Sequence, residues 1–121
     1  MDEVPCQWAA AGYLGAIETG KTICGQLFGA AIFLGYLSGE NAEEVPGVKD
    51  AQRLRAIESV SGLFKGFIDK FGSNDCQTLI GCNYGKKEDR ERFLSEKIYE
   101  RACLPQLEYV LSQCLTHLSA K

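Results

Sequence analysis

The sequence has little of what a sheet, a membrane or a nucleic acid would require. No stretch alternates polar and apolar residues over the length of a strand, so a β-fold has nothing to build from. The most apolar run, residues 23–37, is shorter than a bilayer-spanning helix and contains Gln26. Lys and Arg number 13 against 16 Asp and Glu, and the formal net charge is -3. The two signs are mixed along the chain, which leaves no basic stripe for nucleic acid or an anionic membrane. The opening MDEVPCQW is acidic and short of apolar residues, unlike a secretory signal. The expectation is a cytoplasmic protein with neither a nucleic acid nor a membrane as partner.

The cysteines lack the usual spacings too. No CxxC pair occurs, which argues against a zinc knuckle or a thioredoxin-type dithiol, and without CxxCH there is no covalent haem site. The one histidine, His117, near the C-terminus, is a weak metal candidate. Six cysteines are nonetheless many for 121 residues. A chain of this length forms one domain and buries a core without disulfide staples. In a reducing compartment that shifts the reading of the cysteines toward metal, cluster or redox duty.

Helical periodicity dominates. A short helix is expected over residues 5 to about 13, interrupted by Gly12, Gly15 and Gly20. Residues 22–36 are apolar on nearly all sides, with Gly25, Gly29, Ala30 and Ala31 embedded, as in a buried helix that lets its neighbours approach closely. Residues 39–49 are polar, contain Pro46 and Gly47, and read as a loop. Over residues 50–71, Leu54, Ile57, Val60, Phe64, Phe67, Ile68 and Phe71 recur at helical steps, with Asp50 as N-cap and Gly72 as the stop. Residues 76–80 make one or two turns ended by Gly81, and residues 82–87 form a loop. A helix follows from Glu88, with Glu88 and Arg92 at the favourable i, i+4 spacing. Pro105 marks the first turn of a last helix, which carries Leu107, Val110, Leu111, Cys114, Leu115 and Leu118 on one stripe. The predicted fold is all-α, a single domain of about five helices around one core.

Residues 15–22, GAIETGKT, match the phosphate-loop pattern GxxxxGK[ST] in full. A working loop of this kind needs a buried strand before it and a parallel sheet around it. Ala9, Ala10, Ala11 and Gly12 are poor strand formers, and no second strand ends in an Asp placed for magnesium. Glu18 also puts a negative charge beside any phosphate. The favoured reading is a Gly-rich turn in which Thr19 or Thr22 caps the next helix, with nucleotide binding through residues 15–22 as the weaker alternative.

Cys24, Cys76 and Cys103 all fall at predicted helix N-termini. Free N–H groups and the positive end of the helix dipole there favour a thiolate, the form that ligates metal and attacks disulfides. Cys82, in a loop six residues after Cys76, is a further candidate sulfur. Cys114 lies about 16 Å along the helix from Cys103 and reads as a small buried hydrophobe. Cys6 is open between packing residue and ligand.

Three segments carry a resemblance. GYLGAIETGKTICGQLFGAAIFLG (12–35) resembles a Gly-rich run leading into CGAxxG, FIDKFGSNDCQTLIG (67–81) resembles an F…FG…C..L.G element, and Cys103 resembles a last cysteine. Together they resemble the redox-active protein family known by the cysteine pattern C_GCAxxG_C_C, over about the last hundred residues. The resemblance implies a redox or electron-transfer role, often in anaerobic bacteria, with a redox protein as partner. A related domain of split-Soret cytochromes carries an iron–sulfur cluster beside its haem, so a cluster becomes the implied cofactor.

Carried onto this chain, the resemblance gives Cys24, Cys76 and Cys103 as catalytic residues, and the same three with Cys82 as metal ligands. Gly25 and Gly29 become cofactor-lining positions. Gln26 stands where the family has alanine. The family's first cysteine lies upstream of any position Cys6 can match, so a fourth sulfur would come from Cys82, Cys6 or a second subunit, which makes a homodimer an expected partner. Iron–sulfur and dithiol/disulfide chemistry both fit. The alternative is a non-enzymatic helical interaction subunit, which predicts that Cys24, Cys76 and Cys103 are buried apart.

Overall fold

A computed structural model of the protein describes residues 12–39 and 48–120. Among them the structure is all-α, with no strand. Residues 12–17 form α1, followed by α2 (Gly25–Gly39), α3 (Val48–Phe71), α4 (Cys76–Ile80) and α5 (Lys87–Ser95). A π-helical turn over Tyr99–Cys103 then runs into α6 (Leu104–Ala120). Residues 1–11 and 40–47, which carry Cys6 and most of the predicted loop, lie outside the described residues.

Several boundaries differ from expectation for local reasons. Gly12 and Gly15 lie within α1 instead of breaking it. That helix ends where the Thr19 hydroxyl donates to the Ala16 carbonyl (2.7 Å) and Gly20 takes φ 135°. Thr19 therefore closes the helix before it and does not open the one after it. Asp50 sits inside the first turn of α3, two residues past its start, where a carboxylate still favours the positive end of the helix. Gly72 ends α3 at φ 90°, as expected of a residue without a Cβ. Arg92 lies 3.9 Å from both Asp89 and Glu96, and those two take it in place of Glu88.

The last helix does not begin afresh at Pro105. The chain is helical from Tyr99 onward, and the Leu104 N–H donates five residues back to the Tyr99 carbonyl. The wider π turn accommodates the proline, which has no N–H to give and would crowd a tight α-turn behind it.

Two hydrophobic clusters form where one core was expected. Leu27, Ala30 and Leu34 of α2, Leu63 and Phe67 of α3 and Val110 of α6 make the first, with Cys24 at its end. Ile80, Cys82 and Ile98 make the second, flanked by Cys76, Tyr84, Phe93, Ala102 and Cys103. Phe67 and Phe71 lock α3 to α6 through the Tyr109 ring, at centroid distances of 6.2 and 5.8 Å. Gly66 leaves room for the Tyr109 hydroxyl, which a Cβ there would strike. The apolar stripe of α6 is only half covered. Val110 is buried, whereas Leu107, Leu111, Leu115 and Leu118 stay exposed.

Candidate functional site: sulfurs at the seam of two cores

Two short turns bring the first sulfurs together. Ile23 and Asp75 form an isolated antiparallel bridge. On either side of it the Cys24 N–H donates to the Asn74 carbonyl and the Cys76 N–H to the Thr22 carbonyl, each at 2.8 Å. Residues distant in sequence are thus held at the mouths of α2 and α4 by backbone alone. Local capping sets each mouth. The Asp75 carboxylate accepts from the Thr78 N–H (2.8 Å) and the Thr78 hydroxyl (2.7 Å), starting α4 one residue after itself. Gly81 ends that helix in the left-handed region, φ 67° and ψ 23°. At α2 the cap is the cysteine: the Cys24 sulfur accepts from the Gln26 and Leu27 N–H groups. Thr22, expected as a capping residue, instead has a buried hydroxyl without a partner.

Cys103 arrives from the π turn. The Gln26 side-chain amide donates to its carbonyl at 3.0 Å, a link across 77 positions. The Oε1 of the same side chain is buried and unpartnered. Cys82 follows α4 and is nearly fully buried, 1% exposed. Its loop is held by the Asn83 N–H on Asp89 (2.7 Å), by Arg90 on the Tyr84 carbonyl (2.8 Å) and by Arg92 on the Gly81 carbonyl (2.6 Å).

Electrostatics reports how close the sulfurs lie. Burial pushes the Cys76 thiol from 9.0 to about 11, and the neighbouring charges of Cys24, Cys103, Asp75 and Cys82 add to that rise. Cys103 is raised by burial and then by Cys24. Cys24 is raised by burial, although its two N–H donors pull the other way. Burial also raises Cys82, where Arg92 opposes the shift and Asp89 and Glu96 support it.

The expected thiolates are therefore thiols at neutral pH. The helix-mouth donors act on Cys24 as predicted, but desolvation outweighs them. Cys76 and Cys103 show no such donor contribution, and Cys103 sits inside a continuous helical run with no open mouth.

The charges of Cys24, Cys103 and Cys82 all reach Cys76, and that of Cys24 reaches Cys103. Among the described residues, no three or more His, Cys, Asp or Glu side chains are arranged to hold a metal ion as they stand.

Cys114 packs half-buried against the first core, and His117 is half-buried at the C-terminal end of α6. Gly25 and Gly29 line a groove between α2 and α6. The phosphate-loop match begins inside α1 and has no sheet around it, so the context it requires is missing among the described residues. Gln26 was legible only as a departure from CGAxxG, and nothing in the sequence pointed to its bond with Cys103. No helix among the described residues is long and apolar enough to cross a membrane.

No curated protein and no solved structure matches the chain. A family model described as "Putative redox-active protein (C_GCAxxG_C_C)" matches residues 1–114, which extends the resemblance through the first residues as well. With the match covering nearly all of its length, the chain belongs to the C_GCAxxG_C_C redox-active protein family.

Proposed function

We propose that the protein is a small thiol–disulfide electron carrier whose working pair is Cys24 and Cys76, with Cys103 as the adjacent third thiol. The observation that carries this reading is the pairing of the two helix mouths. Two backbone hydrogen bonds flank the Ile23–Asp75 bridge and hold Cys24 and Cys76 diagonally across it, and Cys24 is the cysteine whose charge most raises Cys76.

Cys76 is half-buried and Cys24 buried, which makes Cys76 the sulfur that meets a partner. The co-reactant is a disulfide on a partner protein. Cys76 gives up its proton and attacks one partner sulfur, and the other partner sulfur leaves and is protonated. Cys24 then attacks the Cys76 sulfur of the mixed disulfide and releases the second partner thiol. The partner disulfide gains two electrons and two protons, and the chain is left with a Cys24–Cys76 disulfide for a dithiol reductant to reset.

Thiols that burial raises above the usual range do not stabilise the reduced form by ionising at neutral pH. The pair is accordingly a reductant, opposite in sense to oxidants whose reduced form is stabilised as thiolate.

The test is equilibration in glutathione or dithiothreitol buffers from roughly -150 to -350 mV, with peptide mapping of the bonds formed. A two-electron transition linking Cys24 to Cys76 is expected. If all described cysteines stay reduced across the range, the reading fails. Iron and sulfide assays on anaerobically purified protein run alongside, and stoichiometric amounts of both would replace the dithiol reading with a cluster.

A further inference from the structure

The α2–α6 face is left with far more apolar surface than a small monomer carries. On α6, Leu104, Leu107, Leu111, Leu115 and Leu118 are each a third or more exposed. On α2 the same is true of Ile32, Phe33 and Tyr36. Near half exposure of eight such side chains amounts to roughly 800 Å². The largest apolar patch of an ordinary monomer is about 300–600 Å². A standard interface takes about 800 Å² from each partner, so the face has the area of one complete half-interface.

Its shape is self-complementary. Leu104, Leu107, Leu111, Cys114 and Leu118 follow alternating steps of three and four, the ridge of a coiled-coil seam. From Leu107 onward that ridge is one wall of a groove of about 360 Å³, whose other wall is Gly25, Gly29, Ala30 and Phe33 of α2. Gly29 has nothing within 4 Å of where a Cβ would stand, so the groove is open to an incoming side chain. Ridge and slot therefore lie on one face, as a two-fold interface between identical chains requires. The face also carries little charge to oppose self-association. No charged residue occurs in α2, and α6 has only Glu108 and His117.

We propose that this face joins two copies of the chain, the leucine ridge of each α6 entering the α2–α6 groove of the other. The proposal does not depend on the redox reading, since none of its contacts is a Cys24, Cys76 or Cys103 sulfur.

Sedimentation equilibrium of the reduced full chain at micromolar concentration tests it. The expected mass is twice the 13.3 kDa of the chain. Leu111→Glu and, independently, Phe33→Glu should each give the single-chain mass with unchanged helical circular dichroism. Leu54→Glu, on the exposed side of α3, should leave the dimer intact. Should one variant fail to fold, the other still reads the interface. A wild-type chain that sediments as a monomer overturns the proposal. So does a dimer that Leu54→Glu dissolves while Leu111→Glu and Phe33→Glu do not, which would place the contact elsewhere. A monomer whose groove is covered by residues 1–11 or by a small apolar ligand falls under the first of these outcomes.

Discussion

Cys76 should be the last thiol of its cluster to ionise, and its alkylation profile should show it. Burial is the main cause of the rise to about 11, and Cys24 contributes most among the neighbouring charges. A thiol with the ordinary value of 9.0 is about nine-tenths ionised at pH 10, whereas one at 11 is about one-tenth ionised. Iodoacetamide labelling of the reduced protein, followed peptide by peptide in the mass spectrometer, gives the Cys76 rate against pH without altering any neighbour. The rate at pH 10 should be about a tenth of its limiting value and still climbing. Comparing rates within one profile cancels the greater intrinsic nucleophilicity of a more basic sulfur. In Cys24→Ser the inflection should move down but stay above 9.0, because burial remains when the neighbouring charge is gone. A Cys76 profile that levels off by about pH 9.5 in the wild type would show that the sulfur is neither buried nor crowded, and the geometric argument for the pair would fail with it.

Three further outcomes follow from the same geometry. Cys76 holds its proton more tightly folded (about 11) than unfolded (9.0), so stability should fall as pH rises from 9 to 11, and Cys76→Ser should flatten that decline in thermal melts. Gln26→Ala removes the bond to the Cys103 carbonyl and should cost about 0.5–1.5 kcal/mol in urea denaturation, while speeding alkylation of Cys103 relative to Cys24. Gly85→Ala would set a Cβ 2.5 Å from the Glu18 backbone carbonyl and should destabilise by about 1–3 kcal/mol, whereas Gly35→Ala, with open space around it inside α2, should stabilise by roughly 0.5–1 kcal/mol.

The helices were legible because their signals are local. The Phe and Leu periodicity of α3, the Asp75 cap and the Gly72 and Gly81 stops are written within a few residues of where they act. α4 runs over Cys76–Ile80 as its flanking residues imply. The nearness of Cys24, Cys76 and Cys103 was legible only through their shared placement at helix mouths and the family resemblance. What decides it is non-local: a two-residue bridge between residues 23 and 75, and a glutamine reaching 77 positions along the chain.

The protonation state was misjudged because the helix-end effect can be inferred from neighbouring residues, while burial depends on which elements fold over the sulfur. The α6 stripe misled in the same way. Periodicity identifies an apolar face, but not whether this chain or another covers it.

The π turn before α6 lets one unbroken helical run answer to two masters. Ile98 and Val110 lie twelve residues apart on the same rod, about 18 Å along its axis, and so reach the two interiors at different heights. Shortening the rod by a single exposed residue such as Arg101 would restore uniform winding and swing the upstream segment by roughly 100°. The spacing between neighbouring sulfurs would then change while the aromatic lock between α3 and α6 stayed as it is, which makes this one turn the place where length variation retunes the chemistry without rebuilding the scaffold.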